Sequence, residues 1–510
     1  MDFLQILDLP LRPGGLVEWT PVLHGSAQLS ADPRPTSHNH EQHLRDALDY
    51  QAITGHTGGR EAWLGVSIEF DEPLSIPAIR LALAAWIDRH EVLRSHVLES
   101  KTARPDGIGG GLRRVTAPPG SVSVTMTRVG WYHDETLLVE QLAGWFDRGT
   151  APVWWPAYRF ATVGREASFT LLFAGDHSLL DGYSLVMSVP ELRAHYQAAV
   201  VEVGRRGPDV PLPELSPAHT VGSYIDYSGI EREEADRADA DHPAVRAWAA
   251  FLADGMPRYP RLPDGAPLPE HTHRLPEHAH GFAASGFEGG ADSAAGLEPQ
   301  SSYYALLADD ATTEEFTAVC AAAGTTLFAG VMAGLALASC ERLIAAGDVG
   351  PAQDPPTRFR AVLPRHTRNE PQWLSALGWF VSLSPFDLDI AGAASFSEMA
   401  QRAAAELRRG RVGASLPLLR VDELLGSTES PQFAISYLDT RSSPGAEHDD
   451  AGGARVLRSH RYADEEVYLW INRTPAGLRV SARHPSALDE DVRGLCAAFA
   501  KVIEDVVTRH

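Results

Sequence analysis

The order of apolar and polar positions divides the chain into short strands and amphipathic helices. The clearest element is Phe169–Ala174, an apolar run without polar alternation after Thr170 that stops at Gly175. Such a run predicts a strand buried on both faces. Trp154–Val163 precedes it across Gly164-Arg165-Glu166, and with Ser168–Ala174 it reads as a β-hairpin. Leu64–Phe70 and Val122–Val129 read as further strands, and Ile79, Leu83 and Ile87 give Ile76–His90 a helical period. After the apolar run, Ser188-Val189-Pro190-Glu191 has capping-box spacing with proline in the first turn, and Leu192, Tyr196 and Ala199 continue at helical spacing. Residues 1–60 are punctuated by Pro10, Pro13, Pro21, Pro33 and Pro35 and read as irregular, with a helix start near Asn39–Leu44.

These elements predict an α+β lobe over residues 1–205. The stretch 206–242 reads as a linker, because prolines cluster at its start, at positions 208, 211, 213 and 217. A second lobe is expected over 243–510. Its strands are Ser302–Leu307, Phe359–Leu363, Phe380–Leu383, Phe433–Leu438, Val467–Ile471 and Leu478–Arg483. Its helices are Pro243–Leu252, two segments within Thr312–Ala345, a basic one at Phe396–Arg409 and a closing one at Leu488–Val507. Thr325–Ala345 is apolar nearly all round and predicts a central buried helix. Residues 263–300 lack periodicity and are too long for an ordinary ordered loop, so a flexible insert is expected there. His271, His273, His278 and His280 lie in it and carry at most adventitious metal binding.

Composition bounds the partners. Lys and Arg number 44 against 67 Asp and Glu, a net charge of −23, which argues against nucleic acid and anionic membrane surfaces. No leader segment and no uninterrupted apolar run of membrane-spanning length stands out, and a cytoplasmic location is expected. Cys320, Cys340 and Cys496 are an odd, widely spaced set in apolar helical patterns, so they read as buried thiols. His38, His40 and His43 suggest a metal site, but no second cluster at ligand spacing accompanies them, and no metal is assigned.

The chemistry-bearing stretch follows the apolar strand. Asp176 and His177 come directly after Gly175, and Asp181-Gly182 follows after three spacers. A histidine at the end of a buried strand is rigidly held, and its ordinary pKa, about 6.5, suits it to accept a proton near neutrality. The plain alternative is a surface D-G turn beside an incidental histidine. No G-x-S-x-G elbow and no persuasive cysteine suggest a covalent nucleophile.

DHSLLDG resembles the His-His-x-x-x-Asp-Gly signature of the condensation-domain and chloramphenicol-acetyltransferase-like acyltransferases, with Asp176 where the first His usually stands. Other stretches fall in the same order. RHEVLRSH (residues 89–96) is similar to the family's upstream helix motif and YIDY (224–227) to its Y-x-D-Y motif. LGWFVSL (377–383) is similar to G-x-F-V-N-T, with Ser382 for Asn, and Arg368 stands ten residues before Gly378. LRPGGLVEWTPV, EQHLR and HTRNEPQWLSALGWF resemble the free-standing polyketide-associated, Pap-type branch, close to the condensation domains of nonribosomal peptide synthetases.

The resemblance implies a pseudo-dimer of two α/β sandwich lobes, with the active site in a tunnel between them. It implies His177 as the catalytic base and Asp181 as an orienting carboxylate paired with an arginine, Arg368. Gly182, through its N–H, and Ser382 are candidates to hold the oxyanion, and Asp176 and Trp379 are candidate substrate contacts. The implied reaction moves an acyl or peptidyl group from a phosphopantetheine thioester, on a carrier protein or coenzyme A, to a hydroxyl or amine. The ester or amide product belongs to lipid or specialised-metabolite biosynthesis. No bound cofactor is implied, and the chain is expected to act as a monomer. Two other readings stay open: a non-catalytic module that binds carrier proteins, and a His-based cyclisation or elimination on a tethered substrate.

Overall fold

The computed structural model describes residues 1–55, 63–99, 112–206, 221–262, 300–345, 357–427, 430–459 and 466–509. The four histidines of the 263–300 insert lie outside the described residues. The described residues are mixed α/β, built on one seven-stranded, one six-stranded and one three-stranded sheet.

In the seven-stranded sheet the order is Asp2–Gln5, Ala454–Arg458, Trp63–Phe70, Phe169–Asp176, Tyr158–Gly164, Gly15–Leu23 and Val122–Trp131. Phe169–Asp176 is buried along its whole length. Phe169, Leu171 and Phe173 pack on the face covered by helices Ile76–Arg89 and Gly182–Arg206. Leu172 and Ala174 pack on the opposite face, against Leu138, Leu142 and Phe146 of helix Glu135–Gly149. A strand covered on both sides has no solvent face on which to place a polar residue, which explains its unbroken apolarity. The hairpin with Tyr158–Gly164 is antiparallel, from Gly164 opposite Phe169 to Tyr158 opposite Gly175.

The six-stranded sheet runs Gln300–Asp309, Gly477–Pro485, Val467–Thr474, Phe433–Asp439, Arg358–His366 and Val381–Asp389. Leu327–Ala345 is long and apolar enough to cross a membrane. Here it is the central helix of the second core, where Val331, Met332, Leu335 and Ala338 pack with Phe499 and Ile503 of Asp489–Thr508. Cys320 and Cys496 are buried in the same core, and burial pushes both thiols up to about 12. Cys320 and Cys496 are free thiols, whereas Cys340 is half-buried and not fully buried as its apolar pattern suggests.

Two pieces of the second half of the chain build the first lobe. Ala454–Arg458 inserts between Asp2–Gln5 and Trp63–Phe70, parallel to one and antiparallel to the other. The segment joining strands Arg358–His366 and Val381–Asp389 leaves its own sheet, and its Trp373, Ala376, Leu377 and Phe380 enter the first lobe's core beside Leu179, Leu180 and Tyr224.

Several boundaries differ from expectation. Residues 1–60 are more regular than their prolines suggest, with strands Asp2–Gln5 and Gly15–Leu23 and helix His38–Thr54. Pro21 is tolerated because pairing with Tyr158–Gly164 ends at Trp19, which leaves one neighbour alongside it. The helix after the motif begins at Gly182, not at Ser188, and Pro190 lies inside it. The Ser188 hydroxyl donates to the Ser184 carbonyl (2.7 Å) instead of capping. RHEVLRSH spans a helix end, the 3₁₀ turn Glu91–Arg94 and the start of strand Ser95–Glu99. Within the stretch read as a linker, Tyr224–Asp236 is an α-helix that seats Tyr224 in the first core.

Candidate active site

The buried strand Phe169–Asp176 delivers its last residue and His177 to the junction of the two lobes. Asp176 caps the short 3₁₀ turn His177–Leu179 by accepting from the Ser178 N–H (2.9 Å). His177 is half-buried and lies against Trp379 of the invading segment, ring centres 4.3 Å apart. Its Nδ1 is sealed from solvent without a hydrogen bond. Nε2 is therefore the nitrogen that can meet a substrate. Burial, and next the charge of His43, hold the His177 imidazolium less stable than usual, so the ring is neutral at neutral pH. A neutral imidazole with an open nitrogen is competent as a proton acceptor.

Asp181 does two things at once. Its Oδ1 accepts from the Ser184 N–H (2.8 Å), which caps helix Gly182–Arg206. Both of its oxygens also accept from Arg368, Nη1 to Oδ2 at 2.7 Å and Nη2 to Oδ1 at 3.1 Å, and Oδ2 accepts from the Phe380 N–H at 3.0 Å. Burial opposes the charge, but the Arg368 guanidinium beside it holds the carboxyl below its usual range. Arg368 also donates to the Ser184 hydroxyl (2.8 Å) and lies over the Phe380 ring at 4.3 Å and the Tyr183 ring at 4.8 Å. The pair ties the motif loop to the second lobe's segment, the partnership that the resemblance implies. Arg365 takes no part: its Nη2 donates to the Leu407 carbonyl (2.7 Å) at the end of helix Phe396–Arg409.

The remaining motifs build the frame around this pair. The Ser184 hydroxyl donates to the Gly378 carbonyl (2.9 Å) and accepts from the Gly378 N–H (3.2 Å). Gly378 is required there, since a Cβ would fall 2.4 Å from the Tyr224 ring. Glu191 accepts from Trp86, Arg89 and His90 (3.1, 3.1 and 2.7 Å), which joins the RHEVLRSH stretch to helix Gly182–Arg206. These contacts are structural.

The candidates for the oxyanion separate. Gly182 opens its helix, so its N–H has no carbonyl within the helix to bond, and a Cβ built on it would meet nothing within 4 Å. The Ser382 hydroxyl is buried and donates to the Leu416 carbonyl (3.0 Å), so its proton is already committed. Asp176 is buried as well, with 1 % of its surface exposed, and accepts from His43 Nε2 through both oxygens at 3.0 and 2.9 Å. That arrangement makes it a partner of His43, not a surface for substrate. The three histidines of helix His38–Thr54 diverge accordingly. His38 contacts Asp236, His40 is buried, and His43 reaches the site, edge-on to Trp379 at 5.7 Å. His43 is the residue that sequence reasoning missed. No local signal marks it, since its partner Asp176 is 133 residues away; Asn39, one helical turn before it, donates its side chain to the Val381 carbonyl (2.8 Å).

Comparison with known proteins places this frame. The chain is 26 % identical over 444 residues to the acyltransferase PapA3 of Mycobacterium tuberculosis, covering 84 % of this chain and 80 % of that protein. It is 24 % identical over 509 residues to the trehalose-2-sulfate acyltransferase PapA2 of the same organism, covering 96 % and 94 %. In sequence the chain is thus similar to Pap-type acyltransferases. The solved structure of a PapA2 acyl transferase superposes with a TM-score of 0.77 at 21 % identity, over 99 % of this chain and all of that one. The condensation domain of the monacolin K polyketide synthase MokA superposes at 0.64 and 14 % identity, covering 94 % and 98 %. No family model matches the chain. The two-lobed α+β architecture is thus that of the condensation-domain fold.

Proposed function

We propose that this acyltransferase moves an acyl group from a phosphopantetheine thioester to a hydroxyl, with His177 as general base and no covalent acyl-enzyme. The observation that carries the reading is the imidazole itself. It is neutral, fixed by a buried strand and by Trp379, and open only at Nε2. In the reaction Nε2 takes the acceptor's proton as its oxygen attacks the thioester carbonyl. The tetrahedral oxyanion is held by the Gly182 N–H at the start of its helix, where the dipole favours negative charge. As the C–S bond breaks, the imidazolium returns the proton to the departing sulfur. Asp181 and Arg368 position the loop and exchange no proton in these steps.

The name of the PapA2 relative supports a hydroxyl acceptor and an ester product, since trehalose-2-sulfate offers hydroxyls. The condensation-domain neighbour supports a donor held on a carrier protein, with coenzyme A as the other thioester source. Mass spectrometry of an acyl-loaded carrier, and separately of acyl-coenzyme A, incubated with alcohol and amine pools decides the matter. Loss of the acyl group only when an alcohol is present is the expected result. Retained binding without turnover would instead mark a carrier-binding module. A mass change on the still-tethered acyl group would mark a cyclisation or elimination.

A further inference from the structure

Four elements meet around the motif's first carboxylate. Helix His38–Thr54 brings His40 and His43, strand Ser95–Glu99 brings His96, strand Leu112–Thr116 brings Arg114, and the second lobe brings Trp379. His40 and His96 are buried, and burial first, with Arg114 adding to it, pushes them down to about 3 and about 4. They stand neutral near Asp176. Of these three histidines His43 is the one that touches the carboxylate, through both oxygens, and its charge is the largest influence holding Asp176 ionised against burial. His43 and His177 both lie against the Trp379 indole, at 5.7 and 4.3 Å, so their ring centres are no more than about 10 Å apart. The charged and titratable groups acting on His177 are His43, Asp176 and Asp181, the last neutralised by Arg368.

We propose that His43 and Asp176 form a charge-balanced pair that sets the proton affinity of His177, with His43 as a positioning residue of the acyl-transfer site. The inference rests on the reading that His177 is the base. The argument is electrostatic. A carboxylate next in sequence to the base favours the imidazolium and would keep His177 protonated at higher pH. A positive imidazole on that carboxylate cancels the bias. With both charges in place the base stays neutral where it must accept a proton. A simple clamp that held the helix to the loop would need the same contacts but would not move the titration of His177.

The test is an NMR titration of His177 in protein labelled at the histidine ring carbons, alongside the pH profile of kcat/KM. Four proteins are compared: wild type, His43→Gln, His43→Arg and His43→Gln/Asp176→Asn. His43→Gln leaves Asp176 unbalanced, so the His177 midpoint should rise by about 0.5–1 pH unit, the scale of one charge near 10 Å at an effective dielectric of about 20 with salt screening. The acid limb of kcat/KM should move with it. The double variant removes both charges and should return the midpoint to within about 0.3 of wild type, and His43→Arg should not raise it. An unmoved or lowered midpoint in His43→Gln, or the same rise in the double variant, would overturn the proposal. Should His43→Gln not fold, Asp176→Asn is read at His43, whose midpoint should fall by about 1 pH unit or more; no fall would overturn it. The midpoint is read without turnover, so it stands apart from the role of His177, which the His177→Ala rate tests.

Discussion

Removing the Asp181–Arg368 pair should reveal how strongly the loop is tied across the lobes. Asp181 and Arg368 are 2 % and 3 % exposed, and the carboxylate accepts four hydrogen bonds: two from Arg368, one from the Ser184 N–H and one from the Phe380 N–H. Arg368→Ala leaves the carboxylate with its two backbone donors but no counter-charge. Stripping one partner from a buried pair costs ~3–5 kcal/mol. Asp181→Ala leaves a buried guanidinium and also orphans two backbone N–H groups, each worth ~1–3 kcal/mol when unsatisfied. It should therefore be the more damaging change. The double variant removes both charges and should cost less than the two single losses together, by roughly 2 kcal/mol or more. Domain stabilities are only ~5–15 kcal/mol, so Asp181→Asn, which keeps an acceptor for one backbone N–H, is the fourth protein to make. Urea unfolding followed by tryptophan fluorescence reads the cycle, because Trp373 and Trp379 lie in the invading segment. Losses that add within about 0.5 kcal/mol would refute the coupling and leave Asp181 as a helix cap alone.

Acid should weaken the fold before the carboxylates titrate. His40 and His96 are 5 % and 6 % exposed and are held far below their ordinary 6.5. Their stabilising contribution is complete above the unfolded value and is lost as pH falls from about 6.5 toward 4, by up to about 2.7 kcal/mol per pH unit for the two together. Asp176 and Asp181, held low, lose theirs only below about pH 4. Urea midpoints at pH 7, 6 and 5 check the slope; a flat profile would contradict the burial argument. Gly378→Ala should cost ~1–3 kcal/mol by driving a Cβ into Tyr224, whereas at Gly182 an added Cβ meets nothing within 4 Å and should leave the melting temperature unchanged. In the basic stretch after Phe396, Arg402 is tied to Glu398 and to the Asp389 and Ala391 carbonyls, and Arg409 to Glu406. Arg408 and Arg411 form no ion pair among the described residues. Arg408→Glu/Arg411→Glu should weaken carrier-supported transfer, more at low salt; an unchanged salt dependence would remove this face as a docking surface.

What the sequence made legible follows from where the physics is local. Phe169–Asp176 was readable because a strand covered on both faces leaves no polar position. The Asp181–Arg368 pair was reachable through its resemblance to known motifs, since nothing local joins residues 187 positions apart. His43 was not reachable, because its meaning depends on Asp176, 133 residues away. Ala454–Arg458 is five residues with an arginine at its second and last positions, and its place in the sheet comes from pairing with two strands distant in sequence. Ser188 and Pro190 satisfied the rule for a helix start, yet the helix had already begun, capped by Asp181. Ser382 reads as available to an oxyanion, but its proton is committed to the Leu416 carbonyl, 34 residues away.

The most direct test of the account is the rate of acyl transfer by His177→Ala, with the intact mass of the wild-type protein recorded during turnover. The account predicts a folded variant slower by at least ~10²-fold, the scale of a positioned acid–base group, and a wild-type mass that never gains the acyl group. Transfer at the wild-type rate by the variant, or an acylated wild-type protein on the reaction path, would contradict it.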